Sequence, residues 1–144
     1  MGNFGRLFAS LVVLFACQTA AYAQFTITGS IKDASGNGIG GQIAILNPVT
    51  GEQVAEVFVD GNGNGTTEPI PAGQYVAYAG RRFGTEGFVE ERWDGGEPAN
   101  LSCPNLSCDL LGGALIDLTS GDVFDIDFVL DPSVGGGRLT GTVT

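Results

Sequence analysis

Past residue 23 the chain alternates between apolar and polar positions in short runs, with turn residues between them. In "FTITGSIK" (25–32), Phe25, Ile27 and Ile31 fall on one face. "GQIAILNP" (41–48) and "EQVAEVFVD" (52–60) follow, separated by the turn signal Asn47-Pro48-Val49-Thr50-Gly51. "AGQYVAYAG" (72–80), "TEGFVEERW" (85–93), "GALIDLTSG" (113–121) and "DVFDIDFVLD" (122–131) complete the set. In the last run Phe124, Ile126, Phe128 and Leu130 point one way, with Asp125 and Asp127 opposite, as in a strand with one wet face. Seven such runs predict an all-β fold, an antiparallel seven-stranded β-sandwich over residues 24–132 of Ig-like or prealbumin-like type. The stretch 94–111, "DGGEPANLSCPNLSCDLL", breaks the pattern as a long, polar, irregular loop.

The first 23 residues read differently. Arg6 precedes an apolar run from Leu7 to Ala16, and Ala21-Tyr22-Ala23 supplies a small-x-small cleavage signal. This predicts a signal peptide helix removed before Gln24, too short to span a bilayer. The protein is then secreted, or held at the cell surface or in a periplasm. An alternative takes Leu14-Phe15-Ala16-Cys17 as a lipoprotein box with Cys17 lipidated. At the other end, Leu139-Thr140-Gly141-Thr142-Val143 echoes Ile27-Thr28-Gly29-Ser30-Ile31 behind the flexible "SVGGG". Residues 133–144 are therefore read as a linker and the first strand of a second repeat, the preceding domain being one monomeric unit of a tandem array.

Charge narrows the possible partners. The chain carries a formal net charge of −10. Past the leader, Lys32, Arg81, Arg82, Arg92 and Arg138 stand against 16 acids, leaving −11. Such a surface repels phosphate backbones and argues against nucleic acid. Cys103 and Cys108 are the cysteines of the exported part. An oxidising destination predicts a local disulfide between them, stapling the long loop. Zinc would need further soft ligands, and the chain has no histidine.

These residues carry a resemblance. "ITGSIKDASGNGIGGQIAIL" is similar to the opening of carboxypeptidase regulatory-like domains, which have a transthyretin-like sandwich. "PIPAGQYVAYA" resembles their characteristic strand at Pro71, Ala72, Gly73 and Tyr75, and "IDFVLDPSVGGGRLTGTVT" resembles the junction between two such repeats. One departure is Gly40-Gly41-Gln42, where a small apolar residue is usual; it is expected to weaken the second strand. The resemblance implies a non-catalytic spacer or adhesive module in a multidomain exported protein, a paired-cysteine loop, and an unidentified protein or glycan surface partner. The architecture is shared with starch-binding domains, which gives it the name carbohydrate-binding-like fold.

The candidate chemistry is sparse, and no cofactor is implied. Asp60, Asn62, Asn64 and Gly65 match the start of a calcium loop, but Pro71 stands where the bidentate glutamate belongs. A turn joining two strands is the preferred reading, with a weak calcium site the alternative. Glu90 and Glu91 are adjacent, so on a strand they face opposite sides and cannot share a substrate. Glu86, Glu90 and Arg92 fit an exposed strand face. A serine triad lacks its histidine. Lys32 and Asp127 resemble the cross-linking pair of collagen-adhesin B-type domains, yet alternation turns both toward water. Trp93 is either a core ring or a flat platform for sugar, with Arg92, Asp94 and Asn100 beside it as hydrogen-bonding partners.

Overall fold

A computed structural model describes residues 23–80 and 87–133. The leader up to Tyr22, Cys17, Arg81, Arg82, Phe83, Glu86 and the terminal echo lie outside the described residues. The strands are β1 (Gln24–Phe25), β2 (Ile27–Asp33), β3 (Gly41–Leu46), β4 (Gln53–Val59), β5 (Asn64–Thr66), β6 (Ile70–Pro71), β7 (Gln74–Ala79), β8 (Glu91–Arg92), β9 (Leu101–Ser102), β10 (Ile116–Asp117) and β11 (Val123–Leu130). Several of the seven expected runs are thus divided or trimmed. One sheet has the order β4-β3-β7-β8-β9, with β10 also on β7; a second has the order β11-β2-β5; β1 and β6 form a small ribbon.

The core lies between the two sheets. Ile27, Ile31, Ile126, Phe128 and Leu130 from one side meet Ile43, Ile45, Val57, Val59, Tyr75, Ala77 and Ala79 from the other. Burying each large side chain contributes about 1.5–3 kcal/mol. Tyr75 also donates its hydroxyl to the Pro71 carbonyl at 2.6 Å, fixing the corner into β7. Gly40-Gly41-Gln42 does not prevent β3 from taking a central place, paired along both edges by β4 and β7.

Two features depart from the alternation pattern. The expected sandwich is antiparallel, but β11 runs parallel to β2, from Val123 beside Ile27 to Leu130 beside Asp33. The first and last long strands are therefore neighbours pointing the same way. Within β11 a register shift falls between Val123 and Ile126, where Asp125 has φ 68°. The bulge turns Val123 onto the core and leaves Phe124 outside, 59% exposed. Phe124 thus belongs to the outer face, not to the inward row of Ile126, Phe128 and Leu130.

Two hairpin turns share one design. Asp33-Ala34-Ser35-Gly36-Asn37-Gly38 and Asp60-Gly61-Asn62-Gly63-Asn64-Gly65 have aspartate, glycine, asparagine and glycine at matching positions. In the first, Asp33 Oδ1 accepts from the Ser35 and Asn37 amides, at 2.9 Å each. In the second, Asp60 Oδ1 accepts from the Asn62 and Asn64 amides, at 2.9 and 3.0 Å. Gly36 and Gly63 both adopt φ 88°, a left-handed conformation that glycine takes without a Cβ penalty. The turns touch backbone to backbone: a Cβ on Gly38 would collide with the Asn62 carbonyl.

Candidate functional site

The loop after β8 is a strap over the outer face of the larger sheet. It leaves at Asp94, pairs briefly through β9 with β8, forms 3-10 turns at Pro104–Leu106 and Leu110–Gly112, and returns through β10 to β7. Underneath lie Ala44 and Leu46 of β3 and Val76 of β7, an apolar patch facing away from the main core. Leu110, Leu111 and Tyr78 pack against it. The strap exists because this sheet is apolar on both faces, and an uncovered outer face would meet water.

Polar bonds hold the strap down. Arg92 grips Asp94 side-on, with Nη2 donating to Oδ2 at 2.8 Å and Nε to Oδ1 at 3.2 Å. Its Nη1 donates to the Asp109 carbonyl at 2.7 Å. Asp94 Oδ1 also accepts from the Ala114 amide. Asn100 Oδ1 accepts from the Asp94 and Gly96 amides at 2.8 and 3.1 Å. Cys103 and Cys108 form a disulfide with Cα atoms 5.3 Å apart, and Cys103 is fully buried. The structure thus brings together three of the residues proposed for sugar, Arg92, Asp94 and Asn100, and bonds them to one another and to the strap's backbone.

Trp93 follows on the inner side. Its ring packs against the main core, and its Nε1 is buried with no hydrogen-bond partner. Asp60, Asn62 and Asn64 lie apart from this region in the second hairpin turn, where one Asp60 oxygen is already held by two amides. Among the described residues no group of three or more Asp, Glu, Cys or His side chains could hold a metal ion. Lys32 and Asp127 are half-buried rather than fully solvated, since parallel pairing sets Asp127 beside Ser30, whose hydroxyl donates to it at 2.7 Å.

The exposed strand face expected for Glu90 and Arg92 is not what forms. Glu90 is 7% exposed and Glu91 5%. The reason is topological: this segment passes from one sheet to the other. Residues 87–89 bond to 131–133, with Val89 N–H donating to the Asp131 carbonyl and Ser133 N–H to Gly87; two residues later, Glu91 pairs with Ala79 of β7. Both sides of the segment are therefore covered. Glu90 accepts the Asn105 amide at 2.8 Å, and its own carbonyl takes the Cys103 amide.

Glu91 is the most perturbed acid among the described residues. Its carboxyl is pushed up to about 8, first by loss of water and then by the hydrogen bond and negative charge of Glu97. Asn100 Nδ2 donates to Glu91 Oε1 at 3.3 Å, to Glu97 Oε2 at 3.1 Å and to the Asp127 carbonyl at 3.0 Å. Glu97 does not stand out in the sequence as a site, and Glu91 does so only as half of an adjacent pair with Glu90. One signal was available: Glu91 shares its side of the chain with Val89 and Trp93, two apolar residues at alternate positions.

No helix among the described residues is long and apolar enough to cross a membrane. No protein-family model and no curated protein matches the chain. Among solved structures, the Bacillus anthracis TIE protein is similar over 76% of this chain and 18% of its own, with 11% identity and a TM-score of 0.49. A DUF3823 family protein from Parabacteroides merdae is similar over 78% of this chain and 47% of its own, with 13% identity and a TM-score of 0.44. The chain spans less than half the length of each of these two proteins.

Proposed function

We propose that the chain is a non-catalytic, exported sandwich module of the carboxypeptidase regulatory-like kind, with prealbumin-like or Ig-like architecture, serving as a spacer or adhesion element in a multidomain protein. The observation that carries this reading is where the polar side chains are spent. Arg92, Asp94 and Asn100, the residues best suited to a soluble ligand, are bonded within the module. Export rests on the leader ending at Ala23, and the Cys103–Cys108 bond suits an oxidising destination.

The alternative, a carbohydrate-binding accessory module using Trp93 and the 94–111 loop, is separated from it by fluorescence, because Trp93 is the one tryptophan of the chain. The spacer reading expects a blue-shifted emission that resists acrylamide and does not move on addition of soluble oligosaccharides. A red-shifted, quenchable Trp93 that responds to a glycan, with the response lost in Trp93→Ala, replaces the spacer with the sugar-binding module.

A further inference from the structure

We propose that one proton shared between Glu91 and Glu97 helps latch the strap onto the free edge of β11, and that loss of this proton draws Glu97 off that edge. The argument begins with the strand. β11 uses one edge to pair with β2. The edge facing away presents the Asp127 carbonyl and the Val129 amide, the kind of unpaired row that sheet proteins cover. Here the cover is made of side chains. Asn100 Nδ2 donates to the Asp127 carbonyl at 3.0 Å, and the Val129 amide donates to Glu97 Oε2 at 3.2 Å. Together they stand where a neighbouring strand would place its own backbone groups.

The two carboxyls behind this cover are coupled. Glu91, 5% exposed, and Glu97 converge on one donor, Asn100 Nδ2, at 3.3 and 3.1 Å, and two carboxyl groups so close stay together only when one carries a proton. Asn100 cannot substitute by turning its amide over, because its Oδ1 is fixed by the Asp94 and Gly96 amides. No cation among the described residues neutralises the pair. Arg92 points to the outer face, bound to Asp94 and the Asp109 carbonyl. Lys32 stands on β2 in register with Val129. The other acids nearby have partners of their own: Asp127 the Ser30 hydroxyl, Asp94 the Arg92 guanidinium, and Glu90 the Asn105 amide.

Burial favours the protonated form of Glu91, whereas Glu97 is exposed and gives the site access to solvent. When the proton leaves, two like charges face each other with a single amide group between them. Glu97 is the member free to swing into water, and it takes with it the 3.2 Å acceptor of the Val129 amide, leaving that amide only its lesser contact with the Glu91 carboxyl. The Val129 end of the edge is then uncovered, while Asn100 stays on the Asp127 carbonyl.

Carboxyl-carbon NMR titration of the purified protein tests the proton, and the Val129 amide protection factor, corrected for intrinsic exchange, tests the latch. Glu91 should titrate near pH 8, and Val129 protection should fall about tenfold or more across that step. Glu91→Gln supplies a permanent N–H in place of the proton and should hold protection constant over the same range. Glu97→Gln should do the same from the other side, donating to an ionised Glu91 while its oxygen keeps Val129, so the test survives if either variant folds poorly. Glu91 titrating as an ordinary surface glutamate would overturn the proposal, as would Val129 protection that ignores that step or falls equally in both amide variants.

Discussion

The twin hairpin turns and the strap hold their shapes by opposite means. Each turn closes within six residues, around an aspartate that accepts amides from its own loop. The strap joins distant residues: Arg92 to Asp109, Glu97 to Val129, Asn100 to Asp127. The chemistry is opposite as well. Asp33 has its pKa lowered, chiefly by the Asn37 amide, so it stabilises the fold when ionised. That contribution is present above its ordinary value of 3.8 and is lost as pH falls through the lower folded value. Glu91 is raised from 4.5 to about 8, so it stabilises the fold when protonated. Its contribution is complete below 4.5 and declines as pH rises toward 8. Acid thus weakens the fold through Asp33 of the first turn, and alkali through Glu91 beneath the strap.

Substitutions can break this contrast. The largest effect is expected for Gly38→Ala, because the added carbon meets the Asn62 backbone, which has nowhere to move. A cost of about 3 kcal/mol in denaturant unfolding follows from overpacking against main chain. Replacing Cys103 and Cys108 by serine should cost less, about 2 kcal/mol, since so short a closed loop removes little entropy from the unfolded chain. If the cysteine pair proves the costlier of the two, the turns are not the more tightly specified region. The smallest effect sharpens the comparison. Asp33→Asn keeps an acceptor oxygen but removes the charge, so thermal melts at neutral pH should shift slightly. The loss of stability below about pH 4 should become shallower, with the alkaline limb unchanged.

Much of the first region can be read from the sequence because its interactions are local. Aspartate, glycine and asparagine at fixed offsets announce a turn. The alternation of Phe25, Ile27 and Ile31 announces the strand that feeds it, and these residues do line or adjoin the core. In the last strand Ile126, Phe128 and Leu130 face inward as their spacing predicts, whereas Phe124 does not. The difference is Asp125, whose positive φ adds a bulge that no periodicity encodes. The strap is harder to read because its cause is elsewhere. Ala44, Leu46 and Val76 make the outer face apolar, yet in sequence they look like ordinary strand residues, and only pairing shows that they form a second buried patch. Glu90 and Glu91 mislead for the same reason. Two adjacent acids suggest water on at least one side, but a segment passing between sheets has no wet side.

The parallel pairing of β2 and β11 has a mechanical consequence. The chain enters this pair at Ile27 and leaves it at Leu130, and the register sets these residues at opposite ends of the ladder. Tension along the polypeptide therefore draws the two strands lengthwise past each other instead of peeling them apart from one end. Once the β1–β6 ribbon and the bonds of 131–133 to 87–89 have given way, all the paired positions from Val123 to Leu130 share the load and must break together. A sandwich built this way resists pull along the β2–β11 axis far better than its modest length of hydrogen-bonded strand would suggest.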